Sequence, residues 1–259
     1  MHKIILIFAF CILLLNTGVL FAEDTAFTPE YMFYKANILY EEGKYAEATS
    51  AYRNLLDKGF ESGSLYYNLG NCYFKQGVLG QAILNYERAK QLIPRDRDLQ
   101  SNYEYARSLL KVPPLEEKKT WLLQFMDNLY AQLTIDGITV LLCLIYVAFV
   151  LVIILGIVFK THRLYTRILL SILIVFSVLS AVFLERRISV LGKEAIIISK
   201  KADAKFEPFD RATTHFTLEE GMKVRVLVRN NDWSKVERLD KKVGWVKNIV
   251  FEVIFTAQK

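Results

Sequence analysis

The sequence predicts a multidomain membrane protein with helical hairpin repeats, a two-helix transmembrane hairpin and a small all-β domain, in that order. Three observations predict it. A pattern of aromatic and small residues recurs after 34 positions, as Gly43 and Gly77 illustrate. Two uncharged apolar runs follow in the middle of the chain. The tail then alternates apolar with polar residues, which is typical of half-buried strands.

The N-terminal residues 1–22 have the features of a secretory signal peptide. They contain Lys3, the apolar run IILIFAFCILLL, and a small residue, Ala22, before two acidic residues. Leu20 is larger than the residue expected three positions before the cleavage point, so an uncleaved membrane anchor is the alternative. In both cases the segment that follows is expected on the exported side of the membrane.

The repeated pattern predicts pairs of helices. Residues 65–77 (LYYNLGNCYFKQG) repeat the spacing of residues 31–43 (YMFYKANILYEEG) after 34 positions. Apolar residues at intervals of four define one broad helix face, and Gly70 and Ala82 allow a second helix to approach closely. A period of 34 with two helices per unit resembles the tetratricopeptide repeat (TPR).

The TPR resemblance covers residues 29–110. It comprises two units, 29–62 and 63–96, and a capping helix at 99–110. The second unit matches the family pattern well, whereas the first has Lys35 and Ala36 where the family has Leu-Gly. We expect this small solenoid to lie near the lower limit of independent stability.

The TPR resemblance also implies a peptide-binding groove, because the first helix of each unit lines a concave surface in that family. Aromatic rings and Asn amides there would suit an extended or helical peptide. The alternative is that these side chains only face solvent or pack on the capping helix. The candidate groove residues are Phe33, Asn37, Tyr40, Tyr67, Asn68, Asn71, Phe74 and Asn102.

Residues 111–136 are expected to form a linker and an amphipathic helix near the membrane. Trp121 and Phe125 begin a stripe on residues 120–133 that suits the lipid headgroup boundary, the alternative being a helix packed on the repeats. Transmembrane helices are predicted at 137–159 and 168–184, joined by the short loop 160–167. The chain is therefore expected to contact the lipid bilayer directly.

Charge sets the expected orientation of this hairpin. The loop carries Lys160, Arg163 and Arg167 and no acid, which favours the cytoplasmic side, although Arg186 and Arg187 after the second helix argue the other way. The export signal decides between them. Both soluble domains are then expected in the periplasm of a bacterium, anchored in its inner (cytoplasmic) membrane.

The tail, residues 188–259, is expected to form a small all-β barrel. The alternating segment KVRVLVR, the turn residues after it, and the segments WSKV and GWV resemble the bacterial SH3-like domain. Four aromatic residues could form a groove for Pro-rich or cell-wall peptides, whereas the alternative places both tryptophans in the barrel core. They are Phe206, Phe209, Trp233 and Trp245.

The sequence offers no catalytic, metal or cofactor site, so we predict a non-enzymatic protein. Of its three histidines, only His215 lies in an exported domain, and no Cys/His cluster has the spacing of a metal site. No phosphate-binding glycine loop is present. The net charge of +6 is spread along the chain, without the basic stripe expected for nucleic-acid binding.

The domain order along nearly the whole chain resembles the BatE-like proteins of the aerotolerance (Bat) operon. That resemblance implies partners: membrane proteins with von Willebrand A domains and a MoxR-type AAA+ ATPase. It implies a role in stress tolerance or envelope assembly. We therefore expect a membrane scaffold for protein–protein interaction. The alternative is a sensor that binds peptidoglycan peptide through the tail.

Overall fold

A computed structural model of the protein describes residues 28–111, 120, 121, 124, 125, 130, 132–158 and 163–255. The predicted signal peptide lies outside the described residues, as do most of the linker and part of the loop between the two apolar helices. The described chain contains an N-terminal region of helical hairpins, two long apolar helices and a C-terminal antiparallel sheet.

Five helices form the N-terminal repeat domain. They are α1 (Pro29–Glu41), α2 (Tyr45–Asp57), α3 (Gly63–Lys75), α4 (Leu79–Leu92) and α5 (Arg97–Ser108). Side-chain oxygens of Thr28, Ser62 and Asp96 accept from the backbone N–H groups of the first turns of α1, α3 and α5. Gly43 and Gly77 follow the first helix of each hairpin with positive φ, so both turns reverse the chain in the same way. The 34-residue repeat of the sequence is thus a repeat of the structure.

Small residues set the distance between the helices of the second hairpin. A Cβ atom added to Gly70 on α3 would lie 2.7 Å from the ring of Tyr86 on α4. Because Tyr86 is fully buried, its ring has no room to move away. Gly70 therefore allows the close approach that its place in the repeat predicts.

Two helices are long and apolar enough to cross a membrane. They are α6 (Ile135–Val158) and α7 (Arg163–Val190), and nearly all of their side chains remain accessible. Helix α7 begins inside the segment predicted as the loop and continues past residue 184. The sequence criterion counted only the uncharged residues, whereas the helix ends at Val190, shortly before Gly192, which has a positive φ.

The region before α6 contacts the apolar helices through Tyr130. This side chain is 2% exposed, its ring stacks on Phe183 at 4.6 Å, and its hydroxyl lies 2.8 Å from Ser180 Oγ. The side chains of Trp121 and Phe125 are largely exposed instead. Of the predicted amphipathic helix, residues 122, 123, 126–129 and 131 lie outside the described part.

Seven antiparallel strands form the C-terminal sheet, in the order β3-β2-β6-β5-β4-β1-β7. The bounds are β1 (Glu194–Ile197), β2 (Lys201–Lys205), β3 (Thr214–Glu219), β4 (Lys223–Arg229), β5 (Trp233–Arg238), β6 (Val243–Lys247) and β7 (Phe251–Val253). Alternate residues such as Val224, Val236 and Val246 fill one buried face. The alternation in the sequence therefore correctly predicts a β-domain with one core face.

The predicted closed barrel is wrong, because the sheet is open, with β3 and β7 as its edges. Closure would require hydrogen bonds along the free edge of β7. Arg88 of α4 instead donates to the carbonyls of Val253 and Ile254, at 2.9 and 2.7 Å. The last strand docks on the repeat domain, and this contact protects part of an otherwise exposed edge.

The repeat domain and the sheet share a core. Ile196 and Ile254 of the sheet are buried in one cluster with Ile83, Leu84 and other residues of α4 and α5. At the start of α4, a Cβ atom added to Gly80 would lie 2.9 Å from the Ile197 carbonyl oxygen of β1. The sheet thus packs on the second helix of the second hairpin.

Candidate functional site: a repeat groove and the interface behind it

The eight candidate groove residues lie on α1, α3 and α5, the three helices predicted to line the groove. All eight are partly exposed, which distinguishes them from the fully buried positions of the same helices, such as Ala36 and Leu69. Their amides do not simply face solvent, because six of the eight side chains take part in two hydrogen-bonded clusters or pack on the tyrosines in them.

The first cluster joins α1, α2 and α3. The hydroxyl of Tyr52 donates to Asn37 Oδ1 at 2.5 Å, and Asn68 Nδ2 donates to the same oxygen at 3.0 Å. The Phe33 ring lies against Tyr52, with ring centroids 5.7 Å apart. We call Asn37, Tyr52 and Asn68 the first triad.

The second triad is the same arrangement 34 residues later, on α3, α4 and α5. Tyr86 donates to Asn71 Oδ1 at 2.7 Å, and Asn102 Nδ2 donates to that oxygen at 3.1 Å. Asn102 Nδ2 also lies 2.9 Å from the Tyr67 hydroxyl. Each triad connects consecutive helices, so the asparagines stabilise the stacking of the repeats.

Each triad leaves hydrogen-bonding capacity on the groove surface. Within the described part of the chain, the Nδ2 groups of Asn37 and Asn71 donate to no protein acceptor, and Oδ1 of Asn68 and Asn102 accepts from no donor. Amide donors and acceptors fixed at this repeat spacing are suited to a peptide backbone. Hydrogen bonds within each triad thus fix the positions of the asparagine side chains, and the remaining donors and acceptors of these amides stay available to a ligand.

Aromatic rings flank the asparagines. Phe74 packs at 5.6 Å from Tyr105, which is 59% exposed, and Tyr40 packs at 5.3 Å from Tyr45. The rings supply apolar contact area at little cost in side-chain entropy. Burial between helices raises the pKa of the Cys72 thiol, which lies behind this surface, to about 11, so that thiol stays protonated at neutral pH.

The aromatic residues predicted in the tail lie outside the sheet core. Trp233 and Trp245 are on the outward face of β5 and β6, opposite Lys247 and Lys235 respectively, and both are partly exposed. Neither tryptophan therefore lies in the core of the sheet, in contrast to the alternative interpretation. Phe206 stacks on His215 at 4.3 Å, and Phe209 is exposed in the same loop between β2 and β3.

That loop is attached to the tryptophan face. The carboxylate of Asp210 forms a 2.6 Å ion pair with Lys247, whose ammonium group lies over the ring of Trp233 at 5.6 Å. The outward face therefore combines two tryptophans with lysines, and the adjoining loop carries Phe206 and Phe209.

A charged network crosses the interface between the repeats and the sheet. Lys223 of β4 lies 3.0 Å from Glu87 of α4 and 3.4 Å from Glu194 of β1. The hydroxyl of Tyr103 on α5 donates to Glu87. The Glu87 side chain is only 10% exposed, so its charge depends on these partners rather than on water.

The network changes the protonation equilibria of its members. Burial acts to raise the pKa of Glu87, but the Lys223 charge and the Tyr103 hydroxyl outweigh it and hold that pKa below its usual range. Burial acts to lower the pKa of Lys223, but Glu87 and Glu194 hold it above its usual range. Both groups therefore remain ionised around neutral pH.

Acid is expected to weaken the docking of the sheet through Glu87. Since the folded pKa of Glu87 lies below its unfolded value of about 4.3, the contribution is present above that value and is lost as the pH falls through the lowered pKa. The thermal midpoint of the full-length protein in detergent should fall below about pH 4.3, and fall less in Glu87→Gln. The control Glu42→Gln removes an exposed carboxylate paired with Lys44 and should keep the wild-type dependence. Equal pH profiles for all three proteins would contradict this role of Glu87.

Sequence reasoning did not find this interface. Glu87 and Lys223 lie in different domains, and neither has neighbours that mark it as a buried ion. The triads could have been predicted from the sequence, because the repeat period of 34 residues separates Asn37 from Asn71 and Asn68 from Asn102. Neither a known family model nor a curated protein matches the sequence.

Proposed function

We propose that this protein is a non-enzymatic membrane scaffold whose repeat groove holds an extended segment of a partner protein. The observation that carries the proposal is the pair of Tyr–Asn–Asn triads. They place amides and aromatic rings at a fixed spacing on one partly exposed surface. A site held in position before binding loses less entropy when the partner docks.

The residues on which the sheet docks support this assignment, because they are different from the candidate groove residues. The sheet packs on α4, the second helix of its hairpin, through Arg88, Glu87 and Gly80. The candidate groove residues lie on α1, α3 and α5 and are not among these docking residues, although Tyr66 of α3 also packs against Phe255 after the last strand. Docking of the sheet thus leaves the candidate groove residues partly exposed, so they remain accessible to a partner.

The proposed location follows from the same contacts. Helices α6 and α7 form a hairpin whose two ends on the domain side lie together, so both domains occupy one side if the hairpin crosses the membrane. The packing of the sheet on the repeat domain also requires both domains to lie on one side of the membrane. With an export signal at 1–22, this side is the periplasm, and the hairpin anchors the scaffold in the inner membrane.

The partner class comes from the resemblance to BatE-like proteins and to TPR grooves. It would be a membrane protein with a von Willebrand A domain, working with a MoxR-type AAA+ ATPase in stress tolerance or envelope assembly. An anchored groove needs only modest affinity for a partner in the same membrane, since anchoring raises the effective concentration.

A second candidate function is favoured by the exposed aromatic face of the sheet. Trp233 and Trp245 lie on the outward face with Lys235 and Lys247, next to the loop that holds Phe206 and Phe209. Such a face, which resembles that of a bacterial SH3-like domain, suits a cell-wall peptide with carboxylates. In this alternative the protein is a peptidoglycan sensor.

Crosslinking in the native membrane tests the scaffold. Full-length protein is expected to capture a defined membrane protein, and capture should fall at least tenfold in Tyr67→Ala/Phe74→Ala, since burial of aromatic side chains dominates such contacts. The matched control Tyr34→Ala/Phe60→Ala removes two exposed rings that are not among the groove aromatics and should retain most capture. Unchanged capture in the groove variant would contradict the scaffold. Loss of capture only in Trp233→Ala/Trp245→Ala would show that the outward face of the sheet, and not the groove, binds the partner.

A further inference from the structure

A cavity lies where the repeats, the sheet and the ends of the two apolar helices meet. Its volume is about 560 Å³, and its walls come from α4, α5, the start of α6, the end of α7 and the strands β1 and β4. Neither the groove nor the aromatic face includes it. We refer to it as the junction cleft.

Cations dominate the lining of the junction cleft. Two carboxylates, Glu87 and Glu194, line it, and both are paired with Lys223. The other lining cations are Lys90, Arg107, Arg186, Arg187, Arg225 and Arg238. The cleft therefore carries a clear excess of positive charge.

Three of these cations have no carboxylate partner in the described part of the chain: Lys90, Arg107 and Arg186. Arg225 and Arg238, by contrast, are paired with Glu237 and Asp240. Lys90 and Arg107 both lie over the Tyr103 ring, at 5.2 and 5.3 Å, so the same residue of the cleft lining holds both cations. Lys90 lies close enough to Glu87 to help lower its pKa, but Glu87 is already paired with Lys223, so the three cations together are expected to attract a further anion.

The position of the cleft indicates which anion. Arg186 lies two residues after Leu184, where the apolar run of α7 ends, with Glu185 between them, and Ile135 begins α6. Apolar side chains of Phe183 and Val190 continue the wall of the cleft from α7. If the hairpin spans the membrane, this level is the layer of lipid phosphates.

We propose that the junction cleft binds the phosphate headgroup of an anionic phospholipid. Arg107, Arg186 and Lys90 contact the phosphate, and the apolar wall at Phe183 and Val190 accepts the start of the acyl chains. The bound lipid links the repeats, the sheet and α7, so it fixes the soluble domains against the membrane surface. The assignment rests on the proposed membrane anchoring and is independent of the groove.

Lipid binding by the full-length protein in detergent, followed by native mass spectrometry, tests the cleft. Phosphatidylglycerol is expected to bind at least tenfold more tightly than zwitterionic phosphatidylcholine, since each cation near a lipid phosphate contributes on the order of 1 kcal/mol. The variant Lys90→Gln/Arg107→Gln/Arg186→Gln should lose this preference. The control Arg53→Gln/Lys58→Gln/Lys75→Gln removes the same charge from exposed positions of the repeats that do not line the cleft, and it should keep the preference.

Further measurements distinguish lipid binding in the cleft from the alternative explanations. Inorganic phosphate that binds as tightly as phosphatidylglycerol would show a site for free phosphate and overturn the lipid assignment. Equal loss of the lipid preference in the cleft and control variants would show that the net charge of the protein sets the preference, and it would overturn the assignment. Arg186→Gln changes one exposed side chain and decides the matter if the triple variant does not fold, since an unchanged lipid preference there would count against the cleft. Failure of the wild type to insert into vesicles would instead reject the membrane anchoring.

Discussion

Replacing Lys223 with Met is expected to release the sheet from the repeat domain. The change leaves Glu87 and Glu194 near each other without their shared cation, and the Glu87 side chain is only 10% exposed. Removing one partner of a buried ion pair costs about 3 kcal/mol or more, because the remaining charge is poorly solvated and has lost its counter-charge. Hydrophobic contacts between the domains then have to hold the interface alone.

The amide of Gly80 reports this release. It lies in the first turn of α4, where no helical carbonyl can accept from it, and it donates to Glu220 of the sheet at 2.9 Å. A loss of about 3 kcal/mol predicts amide exchange on the order of 100-fold faster at Gly80. Hydrogen exchange of the full-length protein at neutral pH measures it.

Lys247→Met is the matched control for this change. Its ion pair with Asp210 is on the exposed face, with side chains 46% and 74% exposed, so its loss should cost under about 1 kcal/mol. Exchange at Gly80 should stay near the wild-type rate. Similar exchange rates in Lys223→Met and wild type would show that the apolar contacts, and not the charged network, hold the sheet in place.

Replacing Asn71 with Ala is expected to destabilise the second hairpin by about 1–3 kcal/mol. The Tyr86 side chain is fully buried, and its hydroxyl donates to Asn71 Oδ1. Without that oxygen a buried donor is left unsatisfied, and Asn102 loses one of its two acceptors. The effect should therefore exceed that of removing an exposed amide.

Labelling of the Cys72 thiol measures the opening of this hairpin. The thiol is buried next to Asn71 in the chain, so it reacts only when the helices separate. Labelling should be roughly 10- to 100-fold faster in Asn71→Ala. Asn54→Ala, at an exposed position of α2, should label at the wild-type rate.

Tyr86→Phe completes the test. It removes the hydroxyl together with its need for an acceptor, so Asn71→Ala should cost less in that background than alone. An unchanged cost would mean that the Tyr86–Asn71 hydrogen bond does not stabilise the stacking of α3, α4 and α5.

The sequence by itself determined the features that depend on local patterning. The recurrence of Gly43 and Gly77 predicted the repeated hairpins, and uncharged runs predicted two long apolar helices. Alternation in KVRVLVR predicted a half-buried strand, and Val224 and Val226 do pack in the core, whereas Val228, beyond a bulge, is exposed. Each signal arises because a helix or strand repeats its environment at a fixed interval, so a short segment contains enough information.

Only the tertiary structure decided how these parts meet. Whether the sheet of the tail closes into a barrel depends on which donors bond to the backbone carbonyls at the edge of β7. Arg88, which is distant in the sequence, supplies these donors, and the sheet remains open. The ion pair of Glu87 with Lys223 and the cations of the junction cleft likewise join residues with no shared periodicity. Long-range contacts depend on competition between surfaces for the same apolar and hydrogen-bonding groups, and local sequence patterns do not record the outcome of that competition.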